Sequence, residues 1–301
     1  MNLSQLEVLV ALSETGSFTE TANRVGLTRS AVSHALASLE AELGVALVER
    51  ERGNAVPTGI GNCVLRYARD ILNSVETIHQ ESAAARGLQA GKLRIGMVSS
   101  VSAAISTGIL RKFRQEYPAI ELVTFEGTGR EVEDWILNGV VDVGFVLRQV
   151  DGIESQFIGC DEIRVVVPTN HPLRKQRSVR VEHLEGEAFI MPKMACDFLD
   201  PIQASHSIKL QQRYEASEVQ TILAMIREGL GITLLPEMLL PTQIDGLHLL
   251  TLDPPIRYRF GLGVRSLRSA SPAGRMFIQS ADSWAKTNGF EYPTADEAEL
   301  A

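Results

Sequence analysis

A chain of 301 residues, 45% apolar and 22% charged, has the composition of a soluble globular protein with room for two or three cores. Its formal charge of −8 argues against a protein that coats nucleic acid through bulk electrostatics. No apolar run approaches the roughly 18 residues that span a bilayer, the N-terminus lacks a signal-peptide pattern, and the three scattered cysteines (Cys63, Cys160, Cys196) fit a reducing cytoplasm.

Residues 17–43 carry the start and stop signals of two helices joined by a sharp turn. Ser17-Phe18-Thr19-Glu20 reads as a capping box opening a helix over 18–25, and Gly26 supplies the left-handed residue that ends it. Thr28 can cap a second helix running to about Leu43. On that helix Val32, Ala35, Leu36 and Leu39 share one face, and Arg29, Ser30, Ser33 and His34 share the other. A second helix with a small, polar outer face is how such a pair meets the DNA major groove, so the chain is predicted to bind double-stranded DNA. Residues 1–60 carry a net charge of −3, which counts against this reading on charge alone. Placement favours it, with Arg29 at the helix start and Arg50 and Arg52 together in the loop that follows.

Residues 45–48 and 55–58 flank Glu49–Asn54, and Gly53-Asn54 at the tip marks a hairpin, hence a β-wing. From Gly59 to about Leu88 the pattern is helical without proline. Val64, Ile71 and Ile78 recur every seven residues with Ala68 and Val75 between them, which predicts a self-pairing seam. The alternative is a helix packed on its own domain.

Gly87 and Ala90-Gly91 break that helix, and strands and helices then alternate. Strands are predicted at 93–98, 120–125 and 140–147, with helices at 105–117 and 130–138. The pattern restarts with strands at 164–168, 188–191, 232–235 and 258–264 and helices at 217–228 and 272–284, and residues 291–301 read as a frayed acidic tail. Two open α/β lobes follow, with ligands expected at the carboxyl ends of the strands. Ser99, Ser100, Val101 and Ser102 end the first strand just before a helix, where hydroxyls and free N–H groups suit a carboxylate or another small anion. Gly127 and Thr128 after the second strand and Leu147 and Arg148 after the third should line the same cleft.

Read in order, several motifs resemble the LysR-type transcriptional regulators over nearly the full chain. They are Gly16-Ser17-Phe18-Thr19-x-x-Ala22, Thr28-x-Ser30-Ala31-Val32-Ser33, Leu39-Glu40-x-x-Leu43-Gly44-Val45-x-Leu47-Val48-Glu49-Arg50 and Pro57-Thr58-x-x-Gly61. Further along come Gly91-Lys92-Leu93-Arg94-Ile95-Gly96, Gly139-Val140-Val141-Asp142-Val143-Gly144, His171-Pro172-Leu173 and Gly229-Leu230-Gly231-Ile232-Thr233-Leu234-Leu235-Pro236. The resemblance implies an α/β protein with an N-terminal winged helix-turn-helix, a long linker helix and a two-lobed effector domain like periplasmic binding proteins, made of two open α/β sheets. The corresponding divisions are 1–58 for DNA binding and 59–89 for the dimerising linker. Lobe I takes 90–162 with 266–290, lobe II takes 163–265, and 291–301 forms a flexible tail. The chain crosses out of lobe I near 160–163 and returns near Arg265.

The resemblance also implies a dimer or tetramer on promoter DNA, a small-molecule effector between the lobes, and RNA polymerase as a further partner. It adds Cys196, Asp197, Ser217 and Glu218 to the effector cleft. For DNA the candidates are Arg29, Ser30, Ser33 and His34 at base edges or phosphates, Ser17 and Thr28 as caps or phosphate contacts, and Arg50 and Arg52 at the backbone or minor groove. Most relatives carry glutamine where Arg29 stands, many carry arginine where His34 stands, and phenylalanine is usual where Val48 stands. Arginine can grip guanine O6 and N7, where glutamine favours adenine. Peroxide-sensing members carry a reactive cysteine in the loop that holds Cys196. No second cysteine follows here, and Asp197 disfavours the thiolate, so redox sensing stands as an alternative function. A metabolite-binding protein with weakened DNA recognition is another. The chain lacks G-x-S-x-G, a P-loop, H-E-x-x-H and a complete G-x-G-x-x-G, so it reads as a non-enzyme, without catalytic residues, metal or cofactor.

Overall fold

The computed structural model describes residues 1–51, 54–98, 101, 103–193 and 196–290. The chain divides into two compact units, Met1–Gly91 with Asn138–Val140, and Lys92–Leu137 with Val141 onward.

The first unit begins with a helix the sequence reading passes over, α1 (Leu3–Thr15), opened by an Asn2–Gln5 capping box and closed by Gly16. Helices α2 (Phe18–Val25) and α3 (Arg29–Leu43) follow, then strands β1 (Val48–Glu51) and β2 (Asn54–Pro57) and helix α4 (Gly59–Ala84). Ser17 caps α2 by accepting from the Glu20 N–H at 3.4 Å, but the return bond from the Glu20 side chain is not made, so the predicted capping box is half formed. Thr28 caps α3 by accepting from the Ala31 N–H at 3.1 Å, and Gly26 and Gly44 close α2 and α3 with positive φ.

The core joins Leu6, Leu9 and Leu12 of α1 to Leu36 and Leu39 of α3, with Leu47, Ala55 and, from α4, Leu65 and Ala68. β1 and β2 pair antiparallel from Val48↔Pro57 to Glu51↔Asn54, giving the expected wing, whose tip at Arg52-Gly53 lies outside the described residues. The wing is tied to α3 by Glu40, whose carboxylate accepts from the Leu47 and Val48 N–H groups at 2.7 and 3.2 Å. Gly61 is dictated by close approach, because a Cβ there would lie 2.0 Å from the Leu47 carbonyl oxygen.

On α4 the predicted seam is split. Ala68 is buried in the unit's own core, and Val64 and Val75 are half-buried. Ile60, Tyr67, Ile71 and Ile78 are the large apolar residues this helix leaves exposed in the chain, up to 63% for Ile78. The helix therefore packs on its own unit with one face and leaves apolar residues exposed on another. Packing on α1 claims Leu65 and Ala68, Gly61 sits against the Leu47 carbonyl, and an apolar stripe of a- and d-like spacing remains.

The second unit runs β3 (Gly91–Val98), α5 (Ala103–Glu116), β4 (Ile120–Gly127), α6 (Gly129–Leu137), β5 (Val143–Val146) and β6 (Glu154–Pro168). It continues with β7 (Ser178–Val179), β8 (Ala188–Pro192), α7 (Cys196–His206), β9 (Gln211–Ala216), α8 (Val219–Arg227), β10 (Thr233–Pro236), β11 (Leu247–Leu252), β12 (Arg257–Val264) and α9 (Pro272–Thr287). β3 and β5 are parallel, as are β8 and β9, but β12 runs antiparallel between β5 and β6. Where the sequence reading has two separate open sheets, hydrogen bonding along β6 runs the lobes together in one eight-stranded sheet of order β4-β3-β5-β12-β6-β11-β7, with β10 also on β6. β8 and β9 form a two-stranded sheet, joined by a single bridge from Phe189 to Ile232.

The first part of β6, through Glu162, pairs with β12; from Ile163 onward it pairs with β10 and β11. That change of partner is the outward crossing. β12 pairs with that first part of β6 along its whole length, Arg257 to Val264, while Tyr258 near its start still packs in the core built on Ile163, Val165 and Val167, so β12 is the returning strand. Lobe II buries β6 on both faces. Ile163, Val165 and Val167 pack with Leu199 and Ile202 of α7, and Val166 packs with Ile222, Leu223 and Ile226 of α8. This is why residues 164–168 read as a continuous apolar run. In lobe I, α5 meets α9 through the edge-to-face pair Phe113–Phe277, centroids 5.1 Å apart.

Candidate nucleic-acid interface and effector site

The first half of α3 and the start of α2 border a groove of about 390 Å³ lined by Phe18, Arg29, Ser30, Ser33 and His34. Four of these are sequence candidates, and the fifth, Phe18, was missed although it follows the helix cap directly. The start of α2 is tied to the end of α1. The Thr21 hydroxyl, fully buried, donates to the Ser17 carbonyl at 2.8 Å and sits 2.7 Å from the Thr15 hydroxyl at the end of α1. Arg29, Ser30 and His34 are exposed, and among the described residues neither Arg29 nor His34 forms a hydrogen bond or ion pair. Arg24, on α2, is held by Glu14 at 2.6 Å. Ser17 and Thr28 do not line the groove, and their oxygens are engaged as helix caps. Arg50 lies on β1 with its side chain outside the description, and Arg52 falls outside it altogether. This arrangement can offer an unpaired guanidinium, an imidazole and two hydroxyls to a base edge or phosphate.

The effector candidates stand after the carboxyl ends of β3, β4, β5, β8 and β9, where the topology argument expects them. Ser99, Ser100 and Ser102 are outside the described residues. Val101 is a buried core residue whose N–H already donates to the Val98 carbonyl at 2.9 Å, so its side chain is unavailable to a ligand. Gly127 ends β4 where a Cβ would collide with Trp135 at 2.7 Å. Thr128 and Glu131 cap α6 reciprocally. The Thr128 N–H and hydroxyl donate to Glu131 at 2.8 and 2.9 Å and hold its carboxyl below the usual carboxylate range.

Leu147 is half-buried against the lobe II core that contains Ile163 and Tyr258. Arg148 is gripped by both oxygens of the buried Glu133, at 3.0 and 2.7 Å. Its charge is therefore met from within α6, a pairing across 15 residues that local pattern does not reveal. Cys196 and Asp197 open α7 with their side chains outside the description, and Ser217 and Glu218 are exposed just before α8. None of these candidates lines the larger cavity, of about 800 Å³. That cavity runs between α7 and the strands β8 and β9, with Lys193, Asp200, Gln203, Lys209 and Glu215 among its walls.

The crossing itself holds a cluster the sequence reading missed. Asp161 on β6 accepts from the Met238 N–H at 3.0 Å and from the Tyr258 hydroxyl at 3.4 Å. Burial pushes the Asp161 carboxyl up and, with that carboxylate beside it, the Tyr258 hydroxyl well up. Arg164 binds Glu162 and Glu237, both at 2.8 Å. The signal available was the charged run Asp161-Glu162-x-Arg164 just before the apolar stretch Val165–Val167.

Among the described residues no group of His, Cys, Asp and Glu could hold a metal ion, and no helix is long and apolar enough to cross a membrane. Residues 3–62 match the family of bacterial regulatory helix-turn-helix proteins, lysR family, and residues 86–286 match the LysR substrate binding domain. The chain is 35% identical over 290 residues to an uncharacterized HTH-type transcriptional regulator, YvbU of Bacillus subtilis, covering 93% of this chain and 98% of that one. It is also 35% identical to the probable regulator LrrA of Synechococcus elongatus, over 79% of this chain and 82% of LrrA. In fold it is similar to a full-length OxyR variant from Pseudomonas aeruginosa, with a TM-score of 0.76 at 20% identity, over 95% of this chain and 98% of that one. A winged helix-turn-helix followed by a two-lobed α/β domain, each part matched by its own family, makes this chain a member of the LysR family of transcriptional regulators.

Proposed function

We propose that this regulator binds duplex promoter DNA by laying α3 in the major groove, with Arg29, Ser30, Ser33 and His34 toward base edges and phosphates. The groove beside α3, with Arg29 and His34 unpaired in it, carries the reading. The exposed stripe Ile60, Tyr67, Ile71 and Ile78 on α4 supports pairing with a second copy. Two recognition helices a helical turn apart, roughly 34 Å, then read an interrupted inverted repeat. A small anionic metabolite at the strand ends of the lobes would set the activity of the assembly, with RNA polymerase the partner it acts on, in the cytoplasm and without turnover. Among chains of this fold, CbnR is seen with its target DNA and the effector binding domain of QuiR with shikimate.

The test is protection of the DNA flanking the protein's own gene by the full-length chain, beside a scrambled competitor, over a range of salt. Protection of an inverted repeat, tighter than the competitor at every salt, supports the reading. Equal, weak and steeply salt-dependent binding to both overturns it.

A further inference from the structure

Of the five side chains lining the groove on α2 and α3, two carry or can acquire positive charge, Arg29 and His34. Phe18, Ser30 and Ser33 do not titrate in the physiological range, so Arg29 is the charged neighbour of His34 within the groove. On the elements packed against α3 the charged groups are Glu7 and Glu14 of α1 and Glu20 and Arg24 of α2, and none of them lines the groove. Farther along α3, Glu40 is occupied by the wing N–H groups and Glu42 by the N-terminal amine. His34 is exposed and has no partner among the described residues that would fix its charge state.

Imidazole is the side chain whose charge ordinarily changes between about pH 5 and 8. Against duplex phosphates the charged imidazolium is favoured, because the polyanion stabilises it. We propose that His34 makes operator binding proton-linked: each recognition helix takes up a proton at His34 as it enters the groove, so affinity rises as pH falls. The inference rests on the reading that α3 enters the major groove, and it adds a response to pH at a position where an arginine would give none. The complex holds the proton more tightly than the free chain, so binding strengthens by at most about tenfold per pH unit for each helix. A phosphate newly neutralised at low pH also steepens the salt dependence, by about 0.9 in the slope of log affinity against log salt for each helix.

The test uses the full-length chain and a duplex it selects from a random library at neutral pH. Dissociation constants are read by fluorescence anisotropy at pH 6 and pH 8 over several salt concentrations, for the wild type, His34→Arg and His34→Gln. Thermal melts in the same buffers report that each is folded. Tighter binding and a steeper salt slope for the wild type at pH 6 are expected. His34→Arg should be steep at both pH values, and His34→Gln shallow at both. A pH response that survives in His34→Gln, or is missing from a wild type that binds the selected duplex specifically, overturns the inference. A wild type that never prefers the selected duplex to a scrambled one overturns the groove reading and this inference together.

Discussion

Arg29 opens α3 and makes no hydrogen bond or ion pair among the described residues, so truncating it breaks no intramolecular bond. Alanine is at least as good a helix former, and an exposed substitution of this kind moves stability by no more than about 0.5 kcal/mol. Any loss of binding by Arg29→Ala therefore belongs to the DNA contact. A bidentate grip on guanine O6 and N7 is worth about 1–3 kcal/mol, or roughly 5- to 150-fold in affinity for each recognition helix. Two helices on a symmetric operator double the free energy and square the factor. Competition gel shifts of the full-length chain on its operator, and on every single-base variant of that operator, measure both the loss and its position. Arg29→Gln sharpens the test, because glutamine pairs with adenine N6 and N7 and should move the preferred base from G to A. Unchanged operator affinity in Arg29→Ala would refute the assignment. An equal loss on operator and scrambled DNA, with the salt slope reduced by about 0.9 for each helix, would make Arg29 a phosphate contact instead.

Other substitutions probe the rest of the chain. Gly61→Ala places a Cβ 2.0 Å from the Leu47 carbonyl oxygen, between the helix start and the wing that Glu40 anchors. It should cost about 1–3 kcal/mol, read as a lower denaturant midpoint for the N-terminal unit, and an unshifted midpoint would deny the close approach. Ser100→Ala should abolish the transcriptional response to an effector while operator affinity is kept; a full response removes the strand-end pocket. At Asp161 the folded chain holds its proton more tightly than the unfolded one, since burial raises its carboxyl. The stability tied to that proton is complete below the ordinary aspartate range and is lost as pH rises through the raised folded value. Asp161→Asn, which cannot ionise, should therefore gain on the wild type in chemical denaturation as pH climbs from about 4 to 7, and parallel profiles would refute the burial argument.

What the sequence discloses follows from how local each signal is. α2, α3 and the wing announce themselves through caps, Gly26 and a short hairpin, all within a few residues of the elements they bound. α1 does not, because Leu6, Val8, Leu9, Ala11 and Leu12 are buried on more than one side and blur the helical period. The polar residues Glu154, Gln156, Asp161 and Glu162 hide the first part of β6, although its pairing with β12 makes it a strand. β9 is exposed along nearly its whole length and leaves no apolar alternation to read. In the site, the face of α3 was legible from spacing of 3 to 4 residues, whereas the grip of Glu133 on Arg148 and the meeting of Asp161 with Tyr258 depend on tertiary pairing.

The net charge of −3 over residues 1–60 then ceases to be a paradox. Three of the seven carboxylates in that stretch are engaged inside the unit: Glu14 with Arg24, Glu42 with the N-terminal amine, and Glu40 with two wing N–H groups. The groove beside α3 has no acidic lining residue, and its guanidinium and imidazole have no internal partners among the described residues. A count of charges averages over both faces of a small domain, but a duplex feels the one turned toward it, within a Debye length of about 8 Å. With two cations lining the groove, few counterions are released from it, so its own share of non-specific affinity stays low and the salt slope it contributes shallow for each recognition helix. Binding tight enough to regulate then has to come from base-edge contacts and from two helices acting at once. The sharpest consequence is that a copy unable to pair through α4, with Ile71 and Ile78 made polar, should lose nearly all operator affinity while its recognition helix stays intact.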